Sequence, residues 1–281
     1  MLKTQDGLDL FTQSWKPNSP ASPGPSAAPD PKAIVVLHHG FNDHSGRYPH
    51  VAKALTEAGY SLYAFDWRGH GKSGGPRGHT PNYDSLLDDY GLVVAEAKKD
   101  QPGKKVFLYG HSMGGNIALN YALRRPEGLA GAVITSPQLR LSFEPPAWQV
   151  ALARVMASLY PTFSQKANLD AGTISHNPAV VQAYRHDPLI HGTISAKLFF
   201  SIVEAASYAL AHAADLKIPI LLAHGGDDPL TDPKATQEFY ERITFADKTF
   251  KRYDGQFHEL HNETDPMRLL KDVVEWLNQH L

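Results

Sequence analysis

Val106-Phe-Leu-Tyr-Gly110-His-Ser-Met-Gly114-Gly-Asn-Ile-Ala-Leu-Asn-Tyr-Ala-Leu-Arg124 is the stretch on which the fold of this chain turns. Its first four residues are apolar and read as a short buried strand. Asn116 to Arg125 reads as a helix that stops before Pro126. Between them, Gly110-His-Ser-Met-Gly114 fits G-x-S-x-G. A serine in that context sits on a sharp, strained turn that pushes its hydroxyl into the open, and the flanking glycines let strand and helix pass closely. The helix N-terminus beneath it favours developing negative charge. As a bare pattern the motif is weak, because a glycine turn with a surface serine spells the same way. The strand before it and the helix after it make Ser112 a candidate nucleophile.

Working outward, short apolar runs alternate with helical periodicity. Ile34 to Leu37, Tyr60 to Phe65, Ala132 to Thr135, Ile218 to Ala223 and Lys248 to Tyr253 read as strands. Pro49 to Ala58, a segment from Tyr83 to Ala97, and segments opened by Asp232-Pro233 and Asp265-Pro266 read as helices. Continuous apolar strands alternating with amphipathic helices imply an α/β fold with a mostly parallel sheet covered on both faces. Leu8 to Trp15 supplies short early strands, and the proline-rich Pro17 to Pro31 reads as a surface loop. After Pro137 the rhythm breaks for roughly 70 residues of mainly helical character. An insertion there is expected over the carboxyl ends of the strands, where open parallel sheets bind ligands, as a lid.

A serine hydroxyl needs a base, and a histidine base needs a carboxylate to orient it. Both should follow the serine in the order Ser, Asp, His. His224-Gly-Gly-Asp-Asp-Pro229 follows a late strand, so Asp227 and Asp228 both qualify. Tyr253-Asp-Gly-Gln-Phe-His258 follows the last strand and offers His258. His261 is the competitor, and is expected to face solvent or cap the next segment. Oxyanion donors are expected from the backbone N–H of Met113, after the serine, and of Phe41, in the loop His38-His-Gly-Phe41. Asp66-Trp-Arg-Gly-His-Gly-Lys-Ser-Gly74 lacks the spacing of a phosphate-binding loop. Asp66 and Arg68 there are expected to fix loop geometry.

Composition narrows the class. The chain has 281 residues, a formal net charge of −2 and no cysteine. There is no global field to draw it to nucleic acid. Disulfides, a thiolate nucleophile and sulfur-bound zinc are excluded. His258-Glu-Leu-His261 is not the H-E-x-x-H zinc motif, because its histidines are three apart. Neither metal nor cofactor is expected. The opening Met1 to Leu10 carries acids early and does not read as a secretory leader, so a cytoplasmic enzyme is the expectation.

Taken together, these residues resemble the monoglyceride lipase and lysophospholipase branch of the α/β hydrolases. His39-Gly40 with His44-Ser-Gly-Arg-Tyr48 carries the resemblance, as do Asp66 with Arg68-Gly-His-Gly71 and Gly110-His-Ser-Met-Gly-Gly115. Ser136-Pro137, Asp187-Pro-Leu-Ile190 and the Gly225-x-x-Asp228 and Gly255-x-x-His258 loops complete it. The resemblance covers nearly the whole chain after Pro31. It implies an α/β-hydrolase fold with about eight strands and a helical cap inserted after the sixth. The core is then 1–137 and 211–281, and the cap 138–210. The resemblance selects Asp228 over Asp227 and puts the oxyanion donors at Phe41 and Met113, although Phe41 is bulkier than the small residue usual there. It implies hydrolysis of a fatty acyl ester of glycerol, or of a lysophospholipid head group.

Apolar clusters in the cap fit a lipid-like substrate on their own terms. Val155, Leu159, Phe199 and Ile202 are candidate lining residues for an acyl tunnel, and a transient contact of the cap with a membrane surface is a further expectation. The same faces would equally serve to pack the cap onto the core. General carboxylesterase action, acyl transfer to an alcohol or thiol, and a non-catalytic binding role on the same fold are the competing readings.

Overall fold

The computed structural model describes residues 1–17, 30–144, 146–167 and 169–281. Most of the proline-rich stretch expected to form a surface loop lies outside the described residues. A small antiparallel pair, β1 (Leu2–Lys3) and β2 (Asp9–Leu10), opens the chain. The central sheet is built from β3 (Thr12–Trp15), β4 (Ile34–His38), β5 (Ser61–Phe65), β6 (Val106–His111), β7 (Gly131–Thr135), β10 (Ile220–Gly225) and β11 (Lys248–Tyr253). Between β7 and β10 lie β8 (Ser164–Lys166) and β9 (Thr193–Ser195), which pair antiparallel with each other.

The central sheet runs β11-β10-β7-β6-β4-β5-β3 and is parallel except at β3, which pairs antiparallel with β5. It has seven strands where about eight were expected, because of the early strands between Leu8 and Trp15 only β3 joins it, while β2 pairs with β1 in a sheet of its own. The insertion follows the strand ending at Thr135, as expected, and with β2 outside the central sheet that strand is the fifth of it in chain order.

Alternate residues of each inner strand feed two cores, which is why the strands read as unbroken apolar runs. Ile34 and Val36 pack with α2 (Tyr83–Asp100), α3 (Met113–Arg124), α6 (Ala196–Ala211) and α7 (Pro233–Arg242). Val35 and Leu37 face the opposite way, onto α1 (Pro49–Glu57) and α8 (Pro266–Gln279). The inserted segment carries α4 (Ala147–Leu159) and α5 (Pro178–His186), besides β8, β9 and α6. It is therefore helical with a short ribbon, and α6 sends Leu198 and Ile202 into the main core.

The order of strands positions the site. β5 lies on one side of β4 and β6 on the other, so chain direction reverses its sideways progress there. The loops leaving β4 and β6 diverge and open a crevice between them. Ser112 follows β6, and Gly40 and Phe41 follow β4.

Candidate active site

Backbone strain marks the serine. Ser112 sits between β6 and α3 with φ 57° and ψ −121°, a conformation that side chains other than glycine seldom adopt. Its neighbours cannot be enlarged. A Cβ on Gly110 would fall 2.6 Å from Ala118 Cβ, and one on Gly114 2.3 Å from the carbonyl oxygens of His38 and His39. The two glycines of the motif are thus required by the close passage of strand, helix and the neighbouring β4 loop.

Two distant loops bring the partners. Ser112 Oγ lies 2.8 Å from His258 Nε2, and His258 Nδ1 lies 2.7 Å from Asp228 Oδ2. Asp228 leaves the end of β10 and His258 the end of β11, on the same rim as the serine. Asp227 is exposed, so the structure brings Asp228 to the imidazole. Asp228 is itself clamped: Oδ1 accepts from the N–H groups of Leu230 and Thr231, and Oδ2 from Thr231 Oγ1 at 2.8 Å. His224 Nε2 stands 3.1 Å from the same oxygen. Ser136 Oγ donates to the carbonyl oxygen of His258 and fixes its backbone.

Electrostatics follow from this packing. Burial alone would raise the Asp228 carboxyl, but the charge and hydrogen bonds of His258 and His224 hold it far below the usual carboxylate range. Burial pulls His258 down, yet Asp228 outweighs it and leaves the imidazole above its ordinary value.

Phe41 and Met113 flank the serine on two sides. Both line the cavity that opens onto Ser112, and among the described residues neither N–H donates to a protein acceptor. Gly40 is pressed against the serine, since a Cβ there would lie 3.0 Å from Ser112 Cβ. The cavity encloses about 570 Å³, within the range of small-molecule sites. Phe199, Phe143, Ile174 and Leu230 give it apolar wall, while Asp43, Glu259 and Tyr184 give it polar wall.

The expected cap residues divide. Phe199 lines the cavity, but Val155, Leu159 and Ile202 do not. Val155 and Leu159 lie on the outer face of α4, and Leu159 is 78% exposed. The helix is apolar nearly all round, and it turns Gln149, Val150 and Ala153 inward instead. Ile202 is consumed by the main core. His261, expected to face solvent or to cap, is wholly buried. Its ring stacks on Tyr48 at 4.7 Å and meets the edge of His111 at 4.7 Å.

The residue reading missed an ion cluster behind the cavity. Arg47 bridges Asp43 (2.9 Å) and Glu259 (2.6 Å), and Tyr48 Oη donates to Asp43 at 2.7 Å. Desolvation opposes ionisation of Asp43, but the Arg47 guanidinium reverses the balance and holds the carboxyl low. Arg47 and Tyr48 were visible only as part of a motif, and nothing in spacing joins position 47 to position 259. Asp66 does fix loop geometry: Oδ1 accepts from the Ser45 N–H and Oγ, and Oδ2 from the Lys72 N–H. Arg68 pairs with Asp89 at 2.6 Å and with Asp6 at 2.9 Å.

A hydroxyl, an imidazole and a carboxylate in line above a doubly covered parallel sheet define a serine hydrolase of the α/β-hydrolase class. The chain belongs to the Hydrolase_4 family, described as "Serine aminopeptidase, S33", whose model matches residues 29–265. A monoacylglycerol lipase of Mycolicibacterium smegmatis is 36% identical over 276 residues, which is 98% of this chain and 95% of that protein. The crystal structure of Paleococcus ferrophilus monoacylglycerol lipase is 34% identical with a TM-score of 0.85, covering 97% of this chain and 100% of that one. An uncharacterized abhydrolase domain-containing protein of Dictyostelium discoideum is 34% identical over 282 residues, and this chain spans 29% of its length. The chain is a monoacylglycerol lipase-like serine hydrolase.

Proposed function

We propose that the protein hydrolyses monoacylglycerols to glycerol and fatty acid, with Ser112 as nucleophile, His258 as general base and Asp228 as the residue that orients it. His258 Nε2 takes the proton of Ser112 Oγ as the oxygen attacks the ester carbonyl carbon. The carbonyl π pair moves onto oxygen, where the N–H groups of Phe41 and Met113 receive it. Collapse breaks the bond to the alcohol oxygen, which leaves with the proton from Nε2. Water then adds to the acyl-serine, giving its proton to Nε2, and the second collapse releases the fatty acid and returns the proton to Ser112 Oγ.

The observation that carries the substrate reading is the make-up of the cavity wall. Apolar side chains suit an acyl chain. The polar wall holds two carboxylates, Asp43 and Glu259, both bound by Arg47 behind them, and one ammonium, Lys166, whose Nζ donates to the His191 carbonyl oxygen. With two carboxylates set against Arg47 and Lys166, the wall carries no excess positive charge to hold a phosphate, which suits the neutral hydroxyls of a glycerol head. Residues 138–210 act as a lid over this cavity. The outer face of α4 presents Trp148, Leu152, Val155 and Leu159 at helical spacing, all exposed, which supports a transient contact with a lipid surface. No described helix is long and apolar enough to cross a membrane.

A hydrolysis panel tests this reading: monoacylglycerols, triacylglycerols, lysophosphatidylcholine and p-nitrophenyl esters of graded length. Monoacylglycerol should be preferred, and Ser112→Ala should lose turnover by at least about a thousandfold with its fold intact. Preference for lysophosphatidylcholine defeats the head-group assignment, and an active Ser112→Ala defeats the mechanism.

A further inference from the structure

Asn42 directly follows Phe41 and has φ 54°. Among the described residues it shares a positive φ with only two other non-glycine residues, Ser112 and Ser136. Ser112 is the proposed nucleophile, and Ser136 holds the backbone of His258. Such a conformation persists where the surroundings hold it in place.

The surroundings of Asn42 come from the inserted segment, not from its own turn. Its side chain is buried. Nδ2 donates to Tyr184 Oη on α5 at 2.6 Å, and Oδ1 accepts from the Gly192 N–H just before β9. Both bonds span more than a hundred residues of chain. On the other side of Phe41, the Gly40 carbonyl oxygen accepts from Trp67 Nε1 at 3.2 Å and lies 2.8 Å from His39 Nδ1. The peptide that carries the Phe41 N–H is therefore pinned upstream by the sheet loops and downstream by the cap.

We propose that Asn42 is a positioning residue that aims the Phe41 N–H at the oxyanion, drawing its hold from Tyr184 and Gly192 of the cap. The proposal rests on the serine-ester mechanism above. An oxyanion donor acts only where charge develops, and a displacement of about 1 Å costs on the order of a hundredfold in rate. Loosening Asn42 should therefore slow the chemical step and leave substrate binding nearly unchanged.

Asn42→Gly tests this, because glycine keeps the positive φ without steric cost and removes both side-chain bonds. On a p-nitrophenyl ester that the wild type turns over, kcat should fall about ten- to a hundredfold, with KM within about twofold. Phosphonylation of Ser112 by a fluorophosphonate probe also builds charge on an oxygen at this position and should slow in parallel. Tyr184→Phe keeps its ring packed and removes one bond, so a smaller fall of about three- to tenfold is expected. Unchanged kcat in Asn42→Gly, or a loss confined to KM, overturns the proposal. If Asn42→Gly does not fold, Tyr184→Phe decides, and wild-type kcat there overturns it. Failure of the underlying mechanism shows separately, as absent ester turnover in the wild type or full turnover in Ser112→Ala, and takes this proposal with it.

Discussion

Asp228 receives two backbone N–H groups and a hydroxyl before it meets His258, so its carboxylate is fixed in place when the imidazole arrives. Its charge keeps the imidazole above its ordinary value of 6.5. A base works only when deprotonated, so kcat/KM should rise with pH through a pKa above 6.5. In Asp228→Asn the amide cannot accept at both atoms, and the imidazole loses its preferred tautomer and its neighbouring charge. We expect kcat to fall about a thousand- to ten-thousandfold, and the residual activity to rise at lower pH than in the wild type. A pH profile of both proteins on one soluble ester checks this. An acid limb that stays in place would remove Asp228 from the role.

The helix α4 shows what an element with two apolar faces does. Gln149, Val150 and Ala153 turn inward, toward Phe163, Ile194 and Phe199, while Trp148, Leu152, Val155 and Leu159 turn outward. The burial of each large apolar side chain in lipid is worth about 1.5–3 kcal/mol, so two charges on the outer face should weaken partitioning by at least about tenfold. Leu152→Asp with Leu159→Asp, sedimented with phosphatidylcholine vesicles, measures that loss. Turnover of a short soluble ester should be unchanged, since neither side chain lines the cavity. Equal vesicle binding by wild type and variant would exclude this face as the contact.

Across the whole molecule, histidines are buried in number. His38, His39, His70, His111 and His261 are buried, and desolvation depresses each of them, His38 to about 3. Unfolding lets them take protons near 6.5, so between that value and their depressed folded values the unfolded state binds more protons. Stability should therefore fall as pH drops below 6.5. His258 has the opposite sign: its contribution is present below the unfolded value and is lost as pH rises through its raised folded value. The five depressed groups outnumber it. Thermal unfolding at pH 5.0 should occur about 5 °C or more below that at pH 7.5. A midpoint unchanged or raised at pH 5.0 would contradict this balance.

Much of this molecule is written locally. The alternation of apolar runs with helical periods, and the glycines around Ser112, depend on residues within a turn or two of each other. Chain order alone therefore announced a covered parallel sheet and its strained serine. Residue spacing left Asp227 and Asp228 tied, because adjacent residues in a loop differ only in where the folded loop turns them. It could not rank the faces of α4, since both are apolar and only the neighbouring α6 and cavity select one. It set His261 in solvent or at the cap of the next segment, whereas Tyr48 and His111 enclose it. The union of Arg47 with Glu259, and of Asn42 with Tyr184, belongs to tertiary structure alone. Such contacts join segments far apart in the chain, and they form only when the sheet has set the ends of its strands side by side.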